Sequence, residues 1–304
     1  ESGETVIAGM GVLHLEIATA LIADAKVDIV TSQPLINYRE TIRGSAGPIM
    51  SKSPNRHNKI FMKVEPLDEK IAEMIRNGTL NEYKDKKEVA KILKDAGWDG
   101  DEAKRVMRFD IRGNVMVDGT KGVQFVGEST DSILSGFEDS VKEGPLAREQ
   151  VRGCKFTFHH FVPHEDPAHR GLSQLGPAAR GACTGVMLLS NPVLLEPTLG
   201  IEVRVPQEMI GNVAGVISGK RGKVLNMEQK GVIHIISGEL PASETFDLSE
   251  IMRGQTAGRA MWNTHFKAWT PVPNSIFTKG IADIRKRKGL SPEVPTPDEY
   301  VDSE

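Results

Sequence analysis

Two stretches of this sequence gather side chains able to do chemistry. Residues 43–63 hold Arg43, Lys52, Arg56, Lys59 and Lys63 and no acidic residue. Within them, Lys52-Ser53-Pro54-Asn55-Arg56-His57-Asn58-Lys59 reads as a loop tip of cations and amides. Charged and bidentate donors of this kind match phosphate oxygens and exposed base edges, so RNA is the ligand they suit. The competing reading is a solvated surface loop, because charged loops are common. In the second stretch, His159, His160, His164 and His169 precede Arg170-Gly171-Leu172-Ser173-Gln174. On a helix, His160 and His164 at i, i+4 would share a metal ion. Pro163 and Pro167 oppose a helix there, and no HExxH or CxxC supplies further ligands, so no metal site is expected. If 151–162 is a strand, His159 and His160 point to opposite faces. His169, beyond that strand, is expected on an exposed turn.

A third segment, Ala214-Gly215-Val216-Ile217-Ser218-Gly219-Lys220-Arg221, superficially resembles a phosphate-binding loop. Ala214 stands where the first glycine should be, and Arg221 where a hydroxyl should hold magnesium. The segment also ends a helix, whereas phosphate loops open one. It reads as a helix stop and a basic turn. No GxSxG or kinase signature occurs, so no catalytic residue is assigned. A histidine-ligated metal hydrolase is the enzyme reading, ranked behind RNA binding.

The elements that must position these groups follow from periodicity. A strand at 5–8, a helix at 12–23 with Leu13, Ile17 and Leu21 on one face, and a strand at 28–30 open the chain. Strands are expected at 36–42 and 60–64, with 44–58 a long Gly/Ser/Pro/Asn-rich loop between them. Helices are expected at 68–76, 87–96 and 130–143, the first two stopped by Gly78 and Gly97. From 184 the order is β-α-β-β-α-β: strand 199–205, helix 206–218, strands 223–227 and 232–240, helix 244–253, strand 259–267. That is the ferredoxin-like arrangement. A last helix carries Phe277, Ile281 and Ile284, and a Pro- and acid-rich tail is expected to be extended.

A length of 304 residues suggests two or three domains. Thirty-eight basic against 41 acidic side chains give −3, which excludes a globally basic nucleic-acid coat but permits a local basic patch. No run is long and apolar enough to span a membrane. Cys154 and Cys183 lack CxxC spacing and are too few for a disulfide framework, which points to a reducing, cytoplasmic compartment. Glu1 is not a start residue, and one strand, one helix and one strand cannot bury both faces of a sheet. The chain therefore reads as a piece of something longer.

These motifs converge on a family. Val6-Ile7-Ala8-Gly9-Met10-Gly11-Val12-Leu13-His14-Leu15-Glu16, then Tyr38-Arg39-Glu40-Thr41, resembles the junction of the third and fourth domains of archaeal and eukaryotic translation elongation factor 2. The 51–59 loop, Lys142-Glu143-Gly144-Pro145-Leu146, His164-Glu165-Asp166 through His169-Arg170-Gly171 with Gln174, Asn191-Pro192, Glu196-Pro197, Lys220-Arg221-Gly222 and Arg285-Lys286-Arg287-Lys288-Gly289 continue the likeness over the whole chain. The insert at 66–112 and the Pro-rich ending look archaeal.

The resemblance implies an α+β chain. Residues 1–33 would end a preceding, truncated ferredoxin-like domain. Residues 34–183 with 274–304 would form a ribosomal-protein-S5-like tip domain, and 184–273 a ferredoxin-like domain. It implies a part in GTP-dependent translocation of tRNA and mRNA, with GTP and magnesium bound by the parent factor and no cofactor in this chain. The tip would enter the decoding site of the small subunit. His169 would be the histidine converted to diphthamide, and Lys52, Ser53, Pro54, Asn55, Arg56, His57, Asn58, Lys59, Arg170, Gly171 and Gln174 would contact RNA. Implied partners are ribosomal RNA, the tRNA–mRNA duplex, diphthamide-synthesis enzymes and ADP-ribosylating toxins, met by a monomer with no membrane contact. Pro167-Ala168 and Leu172-Ser173 depart from the family pattern around the histidine. The alternatives are a free-standing ribosome-binding module and a paralogue with an unmodified tip.

Overall fold

The computed structural model describes residues 12–27, 35–120, 122–123 and 125–302. The chain divides into two compact units, Tyr38–Leu195 with Pro271–Glu304, and Glu1–Asn37 with Glu196–Thr270.

The larger unit is built on a five-stranded sheet in the order β2-β3-β7-β5-β4. These strands are β2 (Ala46–Lys52), β3 (Lys59–Pro66), β4 (Val106–Asp110), β5 (Asn114–Asp118) and β7 (Cys154–Val162). All neighbours are antiparallel except β5 and β7, which run parallel. Alternation along β5 sends Met116 to one core and Val115 and Val117 to another, as a period of two requires. The first core is closed by helices α5 (Val126–Lys142) and α6 (Leu172–Leu188), with Phe137, Phe156 and Phe158 fully buried. The two helices approach closely because both contact positions are glycines: a Cβ on Gly136 would overlap the Gly176 carbonyl.

The second core lies under α2 (Glu69–Arg76), α3 (Lys86–Asp95) and α4 (Gly100–Ala103). Each of these helices starts at an aspartate, Asp68, Asp85 or Asp99, whose side chain accepts a first-turn N–H. A short strand β1 (Arg39–Ile42) pairs with β6 (Gln150–Val151) and with the first residues of β8 (Pro192–Pro206). From β1 the Glu40 carboxylate is buried in a nest of main-chain donors, accepting the N–H groups of Leu146, Ala147 and Glu149 at 2.7–2.9 Å. Helix α9 (Asn274–Arg287) covers this region with Ile281 and Ile284, and Arg285 and Lys288 donate to the carbonyls of 146–148.

In the smaller unit, the remainder of β8, α7 (Ile210–Gly219), β9 (Lys223–Lys230), β10 (Ile233–Pro241), α8 (Leu248–Thr256) and β11 (Met261–Pro271) give the expected β-α-β-β-α-β order. β10 lies between β8 and β9, and β11 pairs with β8. Ile201, Val203, Val205, Val213, Ile217 and Met252 form its core.

Several expectations are corrected. The supposed loop 44–58 contains β2, whose Ile49, Met50 and Ser51 are buried despite their Gly/Pro-rich approach. The β4–β5 hairpin and α6 had no counterpart in the periodicity. Residues 184–195 belong to the larger unit, because α6 runs on to Leu188 and β8 begins there by pairing with β1. The tail is only partly extended, since Pro297–Glu299 form a 3-10 turn. Helix α1 (Val12–Asp24) forms, but Ile17 and Leu21 are exposed, so its apolar stripe is uncovered by the described residues. The strands expected at 5–8 and 28–30 lie outside the described residues.

Candidate nucleic-acid interface

Both chemically suggestive stretches lie at one end of the five-stranded sheet, where β2 turns into β3 and β7 runs out toward α6. The β2–β3 turn is closed by its own side chains. Ser53 N–H donates to the Asn58 carbonyl at 3.0 Å, and Arg56 N–H to the Ser53 carbonyl at 2.6 Å. Ser53 Oγ donates to Asn55 Oδ1 (2.6 Å), which also accepts the His57 N–H (3.1 Å). Such Asx and hydroxyl bonds let a tight turn satisfy its backbone without a sheet. Arg56 sits at the crest with φ 61°, in the left-handed region that polar turn residues occupy.

The second loop leaves β7 at Val162 and makes a 3-10 turn, Pro167–His169, capped by Asp166 Oδ1 accepting the Ala168 N–H. It then enters α6 at Gly171, an N-cap with no side-chain bond. The positive end of α6 therefore lies at the tip and favours an anion.

Three side-chain bonds join the loops. Asn58, with none of its surface exposed, donates from Nδ2 to the His169 carbonyl at 2.8 Å. Its Oδ1 accepts the His164 N–H at 2.9 Å. Gln174 Oε1 accepts the Asn55 N–H at 3.0 Å. The result is a cluster of three imidazoles: ring centroids lie 5.1 Å apart for His57–His169, 5.0 Å for His57–His164 and 4.7 Å for His164–His169.

Of the residues expected to contact RNA, Pro54, Arg56, His57 and Gly171 are exposed, and Lys52, Asn55, Lys59, His169 and Gln174 are half-buried. Three expectations are corrected. Ser53 and Asn58 are buried and face each other, since the turn needs their oxygens and amide internally. Arg170 is 7% exposed: its guanidinium stacks 3.9 Å from the Phe125 ring centroid and pairs with Glu128 at 2.9 Å. It braces α6 against the start of α5 instead of facing outward. Two contributors escaped the sequence reading. Leu172 puts a 57%-exposed apolar side chain on the tip, and Asp302 reaches it from the far end of the chain.

The other candidates resolve differently. His160 lies on β7 with its ring 5.5 Å from that of Phe61, and 160–164 is strand and loop, so no helical i, i+4 pair with His164 forms. Burial, Lys63 and His160 hold the His159 pKa below its ordinary value. No group of three or more His, Cys, Asp or Glu among the described residues is placed to hold a metal ion. Cys154 and Cys183 are buried, which pushes each thiol up to about 12 and leaves neither a nucleophile. The turn after α7 is spent internally. Lys220 pairs with Asp247, and Arg221 grips the buried Glu196 through two bonds (2.8 and 3.0 Å) and Glu244 through a third. The carboxylates raise the Arg221 pKa further, so both cations of this turn are held by neighbouring carboxylates.

Comparison with known proteins gives the following. The family model described as elongation factor G, domain IV, matches residues 79–191, and that described as elongation factor G C-terminus matches residues 193–280. The chain is 66% identical to elongation factor 2 of Cenarchaeum symbiosum over 304 residues, the whole of this chain and 42% of that protein. It is 49% identical to elongation factor 2 of Sulfurisphaera tokodaii over 99% of this chain and 41% of that one. A crystal structure of a Thermus thermophilus protein shares the fold, with a TM-score of 0.65 at 23% identity, over 91% of this chain and 36% of that one. The chain thus spans about two-fifths of the length of the curated relatives it matches.

Proposed function

The chain belongs to the elongation factor 2 and elongation factor G family, and from that premise we propose that the joined loops at 52–59 and 164–174 are an RNA-contacting tip that takes part in ribosomal translocation. The supporting observation is the tie made by Asn58: segments more than a hundred residues apart present Arg56, His57 and His169 side by side. A cation and imidazoles around the uncapped start of a helix form a surface suited to phosphate and ribose hydroxyls. On this reading the tip docks at the decoding site against the tRNA–mRNA duplex. Arg56, His57, Lys59 and Asn55 make the contacts, while Ser53, Asn58, Gln174 and Arg170 hold them in position.

His169 is the proposed diphthamide position. Its main-chain carbonyl is anchored by Asn58 while its ring lies half-exposed against His57 and His164, so a long cationic arm added there would extend the reach of the tip. An intact mass of the native protein tests the modification. GTP and magnesium would be bound elsewhere in the longer protein, because the basic turn at 220–221 does not fit them. In the full-length factor, replacing Arg56 and Lys59 together by Ala is expected to slow translocation while GTP binding off the ribosome stays unchanged. Unaltered translocation in that variant would discard the proposal.

A further inference from the structure

The last described residues of the chain reach the tip. After the Pro297–Glu299 turn, Tyr300 and Val301 lie against α6, where a Cβ on Gly185 would stand 3.1 Å from each. Asp302 then meets β2, the outermost strand of its sheet. Its N–H donates to the Met50 carbonyl at 2.9 Å, and its Oδ2 accepts the Lys52 N–H at 2.8 Å. These bonds cover edge groups that would otherwise face water. They also fix the carboxylate, whose Oδ1 stands 3.5 Å from Arg56 Nη2. Asp302 is held from two sides by its main-chain N–H and its Oδ2, whereas the Arg56 side chain is 72% exposed at the crest of its turn.

We propose that Asp302 is a specificity-determining residue of the tip: a fixed counter-ion that holds Arg56 until a correctly placed RNA phosphate replaces it. The inference rests on the RNA-contacting reading of the tip. An immobile carboxylate beside the leading cation repels any polyanion that offers no phosphate within reach of the extended guanidinium. RNA that engages the rest of the tip supplies that phosphate and offsets the exchange. The exchange is cheap, because an ion pair this exposed contributes little by itself. The purely structural alternative is that Asp302 only seals the edge of β2.

Asp302→Asn separates the two: it removes the charge, keeps the main-chain N–H for the Met50 carbonyl and one side-chain oxygen for the Lys52 N–H, and turns an NH2 in place of an oxygen toward Arg56. Binding of the 304-residue chain to a fluorescein-labelled RNA duplex is read by anisotropy at low and at raised salt. Relative to the parent chain, D302N is expected to bind about three- to five-fold more tightly, with the gain shrinking as salt screens the charge. In an R56A background the gain should vanish. D302S, which also removes the charge but not the oxygen, serves if D302N melts early. If R56A weakens binding but D302N does not strengthen it, or if the gain survives without Arg56, the counter-ion role is overturned and the tip reading stands. If R56A binds as tightly as the parent, the tip reading fails and takes this inference with it.

Discussion

Replacing Asn58 by Ala should loosen the join between the two loops, leaving only the Asn55–Gln174 bond of the three. The substitution removes three side-chain bonds and leaves the His164 N–H and the His169 carbonyl without partners at a site that is fully buried in the parent. An orphaned buried donor or acceptor costs roughly 1–3 kcal/mol, and water entering the opened tip relieves part of it, so the expected loss is about 2–4 kcal/mol. With a urea slope of about 2 kcal/mol per molar, the unfolding midpoint of the larger unit should fall by about 1–2 M. Trp98, packed on the second core of that unit, reports it. Amide hydrogen exchange supplies the local measurement: the His164 N–H should lose its protection in N58A while amides of β3 and β7 away from the turn keep theirs. N58D is the sharper control. It retains an oxygen for His164 but sets a second oxygen against the His169 carbonyl, so it should be at least as damaging. Arg56→Ala, at the exposed crest of the same turn, should cost less than about 0.5 kcal/mol. If N58A unfolds within about 0.5 kcal/mol of the parent and His164 remains protected, the loops are not held together as described.

Two further outcomes follow from buried charges. Burial pushes the Glu40 carboxyl up to about 7, against the pull of its three main-chain donors, from an ordinary value of 4.5. A group whose pKa is higher folded than unfolded stabilises fully below the unfolded value, so stability should fall as pH rises from 4.5 toward 7. The loss has an upper limit of about 3 kcal/mol. Glu40→Gln should flatten that slope while lowering stability throughout, because its NH2 must face a main-chain N–H; denaturant titrations of both proteins on either side of that pH window test it. Arg170→Ala should destabilise by about 2–3 kcal/mol through lost stacking on Phe125 and lost pairing with Glu128. A stable R170A that no longer binds RNA would return Arg170 to the contact surface.

The sequence made some of this legible and hid the rest for physical reasons. The β-α-β-β-α-β order could be read from its first strand, which is half-covered: Ile201, Val203 and Val205 alternate with Glu202 and Arg204, and that alternation survives in one dimension. Helix α6 could not be read. Gly176, Gly181, Gly185 and Pro177 are poor helix formers, and the segment is helical because those small residues let α5, Ser51 and Tyr300 come close. At the tip, composition marks both loops but does not distinguish a side chain that faces out from one that closes the turn. Asn55 and Asn58 are the same residue three positions apart, and only the second is fully buried. Arg170 is drawn inward by Phe125 and Glu128, more than forty residues earlier, and Asp302 reaches Lys52 across 250 residues. No local pattern encodes pairings of that span.

The stitches between the loops have a consequence for how the tip can be tuned. Amide to carbonyl, main chain to amide, main chain to glutamine: none of the three carries a formal charge. Ionic strength therefore acts on the cations displayed outside without weakening these three bonds. A covalent group that adds or removes charge at an imidazole would likewise alter the electric field the tip projects while leaving these three bonds unchanged.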